Sequence, residues 1–109
     1  MSLGLVANSA RKLAKMIEYD EVELKVGVFV RSSKYSNTGW QYLGSDSTIV
    51  RKEMVNEAAK TLFDRVSYYV RALTYVEDRA YLIQVCDIYG GNCQIDAVGA
   101  SVSELMDKL

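Results

Sequence analysis

Hydrophobic and polar positions alternate along this chain with two different periods, and the changes of period mark out its elements. Over Thr48–Leu73 the apolar residues Val55, Ala58, Ala59, Leu62, Phe63, Val66, Val70 and Leu73 recur at intervals of three and four. That is one stripe of a 3.6-residue helix. Arg51, Lys52, Glu53, Asn56, Glu57, Lys60, Asp64 and Arg65 take the opposite side. No Pro or Gly interrupts the run, and Ser45, Asp46 and Ser47 ahead of it are candidate N-caps. The spacing predicts one long central helix, with Phe63 and Val66 at mid-stripe among the least exposed residues. A helix with a single apolar stripe must be covered by its neighbours in sequence.

Those neighbours follow from the same reading. Leu3, Val6, Ala7, Ala10, Leu13, Ala14 and Ile17 share a face, which predicts a first helix over residues 3–18. Its bases Arg11, Lys12 and Lys15 are followed at once by Glu18, Asp20, Glu21 and Glu23, so they read as a solvated face. From Val22 to Val30 the period becomes two. Every even position is Val or Leu, while Glu23 and Lys25 take the other side. Gly27 and Phe29 then interrupt the polar side, so the far end of this strand is expected to be covered on both faces. A polar connector, residues 31–39, leads to a second strand at Trp40–Leu43.

After the long helix, Thr74 to Ile88 reads as strand interrupted at Glu77, Asp78 and Arg79. Gly90, Gly91 and Asn92 make a tight turn, and Cys93–Val98 returns antiparallel. Ser101 and Glu104 form a capping box that opens a short last helix bearing Val102, Leu105, Met106 and Leu109. The order α-β-β-α-β-β-α predicts a single α+β domain over residues 1–109. Two hairpins would form an antiparallel sheet of four to five strands, with the long central helix and two shorter terminal helices packed mainly on one face. This order resembles that of the roadblock/longin-like group of small dimeric scaffold domains, and also that of pterin dehydratase-like domains. The paired active-site histidines of the latter have no counterpart in a chain without histidine.

Composition narrows the chemistry. A chain of 109 residues with net charge −1 is one ordinary globular domain and lacks the basic excess of a nucleic-acid binder. Charge is uneven: from Arg31 to Arg71 seven bases face four acids, and from Ala72 onward two bases face six acids. Without histidine there is no His-based acid–base catalysis, no His metal site and no Ser-His or Cys-His nucleophile pair. No cofactor or metal motif is present. No apolar run reaches membrane-spanning length, and the first residues lack a secretory pattern, so the cytoplasm is the expected compartment.

Several side chains are candidates for function. The connector and the strand after it bring Arg31, Lys34, Tyr35, Trp40 and Tyr42 close together, a charged and aromatic group suited to binding. Tyr68 falls on the polar side of the long helix. Tyr81, Ile83 and Val85 form one face of a hairpin that is apolar on both, so Tyr68, Tyr81, Ile83 and Val85 are expected interface residues. With Gly90-Gly91 as the turn, Asp87 and Asp96 are diagonal neighbours, either an acid–base pair or the wet side of the sheet. The same register leaves Cys86 and Cys93 diagonal at about 7 Å between Cα atoms, which predicts free thiols. The functional expectation is a small intracellular, non-enzymatic interaction or adaptor domain, homodimeric and open to a protein partner. Alternatives are a small-molecule or nucleotide-binding domain built on the 31–42 loop, and a small inhibitor or immunity protein acting on a larger enzyme.

Overall fold

A computed structural model describes residues 2–31, 39–74 and 76–109. Helix α1 (Ser2–Ala14) leads into strand β1 (Glu21–Arg31) and strand β2 (Trp40–Arg51). A 3-10 turn (Lys52–Met54) enters helix α2 (Val55–Arg71), and β3 (Asp78–Asp87), β4 (Cys93–Val98) and α3 (Val102–Met106) follow. The strands form one antiparallel sheet in the order β2-β1-β3-β4. The α+β architecture and the element order are those the hydrophobic pattern predicts.

The strict alternation of β1 organises both faces. Val22, Leu24, Val26, Val28 and Val30 point to the inner face, where α1 and α2 pack. There they meet Val6, Ala10, Leu13 and Ile17 from the first helix segment, Val55, Ala59, Leu62, Val66 and Val70 from α2, and Tyr81, Ile83 and Val85 from β3. Phe29 points the other way and is fully buried, beneath Trp40, Ala80 and Leu105 of α3. The far end of β1 is thus covered on both sides, and α3 is the element that covers it.

Besides the first helix, which ends at Ala14 rather than at residue 18, three boundaries differ from the sequence reading. The central helix proper begins at Val55 rather than Thr48, because Thr48, Ile49 and Val50 complete β2 opposite Leu24, Glu23 and Val22. Their β-branched side chains fit a pleated strand better than a helical turn. Ser45, Asp46 and Ser47 therefore lie within β2 and cap nothing. The helix entry has no side-chain cap, and the Lys52 N–H instead donates to Asp20 O at 2.9 Å. Strand β3 runs unbroken from Asp78, with Asp78 paired to Arg31 and Arg79 to Val30. The third difference is in the β3–β4 turn, where the Asp87 N–H donates to Asn92 O, so the loop spans residues 88–91 and is wider than a Gly-Gly turn. The register moves accordingly, and Cys86 faces Cys93 directly.

Phe63 is half-buried and tilts against the Tyr81 ring at 4.9 Å, while Val66 is fully buried. The Tyr81 hydroxyl is enclosed here without a hydrogen-bond partner. Since an unmade buried hydrogen bond is costly, Tyr81→Phe should leave stability unchanged or raise it by about 1 kcal/mol in thermal melts. A marked loss would mean that the hydroxyl is engaged.

Candidate functional site

On the outer face of the sheet, α3 is too short to reach beyond one end. That end is built by paired positions on neighbouring strands: Trp40 beside Arg31, Arg31 beside Asp78, and Tyr42 beside Phe29. The Arg31 guanidinium lies over the Trp40 ring at 4.7 Å and bonds Asp78 Oδ2 at 2.5 Å. The hydrogen bond to Asp78 raises the Arg31 pKa. Trp40 Nε1 donates to Glu104 Oε2 at 3.2 Å. Ser101 accepts from the Glu104 N–H as a helix cap, but the Glu104 carboxylate serves the tryptophan and not a capping box.

Next to this cluster, the outer face opens into a cleft of about 80 Å³ lined by Gly27, Phe29, Tyr42, Leu82, Ile95 and Met106 among others, with Lys25 at its rim. Gly27 makes the floor. A Cβ there would meet Tyr42 Cε1 at 3.5 Å, Ser45 Cβ at 3.6 Å and Gly44 O at 3.7 Å, ordinary contact distances, so a side chain at this position would fill part of the hollow. Tyr42 forms one wall, its ring 5.2 Å from Phe29 and its hydroxyl bonded to Ser45 Oγ at 2.9 Å. Gln84 also lines the cleft, and beyond it the face carries Glu23 and the exposed Ile49.

The structure thus brings Arg31, Trp40 and Tyr42 together on one surface, whereas Lys34 and Tyr35 lie outside the described residues. Trp40 is not displayed: at 7% exposure it is part of the α3 packing, because its register beside Arg31 turns the ring under that helix. Tyr81, Ile83 and Val85 are corrected more sharply. They point to the inner face and are buried beneath the helices, so they have no free surface to offer. Tyr68 is exposed on α2 with the Arg71 guanidinium 4.4 Å above its ring.

The two aspartates do not form a pair. Asp87 is buried in the hairpin turn, where its Oδ1 accepts the Tyr89 and Gly91 N–H groups at 2.8 and 3.0 Å. An Asp that opens a glycine-bearing loop is a recognisable sequence signal for this arrangement. Asp96 lies opposite Ile83 and takes the Ser9 hydroxyl at 2.8 Å and Lys12 Nζ at 3.2 Å. Partial burial pushes its carboxyl up, but Ser9, the Ala97 N–H and Lys12 outweigh that and hold it below the usual range. The expectation of free thiols is also corrected. Cys86 and Cys93 are disulfide-bonded, with Cα atoms 4.0 Å apart, because the wider turn makes them direct cross-strand neighbours.

Among the described residues, no three His, Cys, Asp or Glu side chains converge as a metal site would require. No described helix is long and apolar enough to cross a membrane. Comparison with protein families, curated proteins and solved structures finds no match to this chain.

Proposed function

We propose that this chain is a small non-enzymatic interaction domain that pairs with a second copy of itself through the outer face of its sheet. The observation that carries the reading is the cleft at Gly27. Sites for small molecules enclose about 300–1,000 Å³, whereas this hollow of about 80 Å³ fits one side chain of a partner. Buried pockets that receive single side chains are where protein interfaces concentrate their binding energy. The nucleotide alternative loses support on the same surface, since the Trp40 ring is already sandwiched between Arg31 and α3.

Charge favours self-pairing. Glu23 and Lys25 are two residues apart on β1 and point the same way. In an isologous contact each residue meets its complement twice. A two-fold axis running across the strands between them would set Glu23 against the partner's Lys25, and Lys25 against the partner's Glu23. Sedimentation across a concentration series should show a dimer. Glu23→Lys or Lys25→Glu alone should weaken it by at least about tenfold, as like charges then meet. Mixing the two variants in equal amounts should restore a heterodimer. A wild-type chain that stays monomeric at every concentration would overturn the reading.

The setting we propose is the cell interior, and the Cys86–Cys93 bond provides its check. Disulfides are rare in a reducing cytosol. Trapping thiols during lysis should give a doubly alkylated chain there, whereas an unmodified chain would move the domain to an oxidising compartment.

A further inference from the structure

Strands β2 and β4 are the sheet's two open edges. The bond from the Lys52 N–H to Asp20 O sets the phase of β2, so residues 46, 48 and 50 turn their backbone groups toward β1. Ser45, Ser47 and Ile49 turn theirs outward. The bond from the Asp87 N–H to Asn92 O sets β4 in the same way, leaving Cys93, Ile95 and Ala97 facing outward. Rows of outward N–H and C=O groups are templates on which another chain can add a strand.

On each edge an aspartate interrupts the row. Asp46 Oδ1 accepts the N–H of the next residue, Ser47, at 2.9 Å, and Arg65 of α2 approaches Oδ2 at 3.3 Å. On the opposite edge the Asp96 carboxylate lies beside the N–H of its next residue, Ala97. It is held from α1 by Ser9 at 2.8 Å and Lys12 at 3.2 Å. The two arrangements are alike in placing an Asp beside the following outward N–H and anchoring it by a base from the helix covering that side, and at Asp46 the bond to that N–H is made. An incoming strand would need the Ser47 or Ala97 N–H for its own carbonyl oxygen. It would find the Ser47 donor occupied, and on either edge a carboxylate repelling that oxygen.

We propose that Asp46 and Asp96 are edge guards, whose carboxylates block strand addition at β2 and β4 and so keep the sheet at four strands. The guards act on open-ended growth through the edges, so the inference stands whether or not the outer face forms a closed dimer.

Amide exchange on the wild-type protein tests the contacts directly. Corrected for intrinsic rates, the Ser47 N–H should exchange about five- to tenfold more slowly than Ile49, and Ala97 than Ile95, as one added hydrogen bond implies. Equal rates within both pairs would overturn the proposal. Asp46→Ala combined with Asp96→Ala should then form assemblies larger than wild type at equal concentration, while Asp46→Asn with Asp96→Asn, which keeps an acceptor oxygen, should not. A folded double-alanine variant that sediments like wild type would also overturn it. If that variant fails to fold, the exchange comparison decides.

Discussion

Trp40→Ala should cost about 3–5 kcal/mol, the range for truncating a buried large aromatic, and so remove a large share of the 5–15 kcal/mol typical of a domain. The ring shares its cluster with Phe29, Ala80 and Leu105, and Glu104 accepts its indole N–H. Leu105 is the one buried residue of α3, so losing the ring also loosens the helix that covers this end of the sheet. Trp40 is the only tryptophan in the chain, which makes it its own reporter. Its emission should be blue-shifted and poorly quenched by acrylamide or iodide. Red-shifted, readily quenched emission together with an unchanged melting temperature in Trp40→Ala would show that α3 does not pack there.

The second large effect separates neighbouring helix positions. Leu62 is fully buried between α2 and the sheet, so Leu62→Ala should cost about 2–5 kcal/mol. Phe63 is only half-buried at the margin of the core, so its truncation should cost less despite the larger side chain. Truncation costs follow the cavity left behind, and a half-exposed site fills with water or collapses. Denaturant unfolding of the two variants measures the order. A Phe63→Ala loss exceeding that of Leu62→Ala would mean that α2 is rotated about its axis relative to the packing described.

Most of the fold is legible because burial on one side imposes a period, and a period can be read. β1 shows its inner face at every second residue, and Gly27 and Phe29 announce the cover that α3 provides. The helix start is less clearly marked. Arg51, Lys52 and Glu53 suit the polar side of a helix as well as the end of an exposed edge strand, and only the β-branched Thr48, Ile49 and Val50 favour the strand. The cysteine pairing turned on two residues of turn length. Gly90-Gly91 suggests a tight turn, whereas the Asp87 carboxylate stabilises a wider one and so aligns Cys86 with Cys93. Which side of β3 lies under the helices could not be read from the hairpin itself. Its apolar residues occupy both faces, and only the pairing of Ile83 with Val26 places Tyr81, Ile83 and Val85 inside.

The sheet order has a kinetic meaning. β1–β2 and β3–β4 are hairpins whose strands are near one another in sequence, but they meet only along the seam between β1 and β3. That seam joins Arg31 to Asp78 at one end and Val22 to Asp87 at the other, with all of β2 and α2 in the intervening chain. Each hairpin can close quickly, whereas the seam must wait for a long loop to be drawn together. Val26 and Ile83 face each other across it, and the inner core spans both halves. Neither half of the chain therefore owns a complete core. Severed between α2 and β3, the protein would become two fragments whose folding depends on finding each other, at a rate set by their concentration.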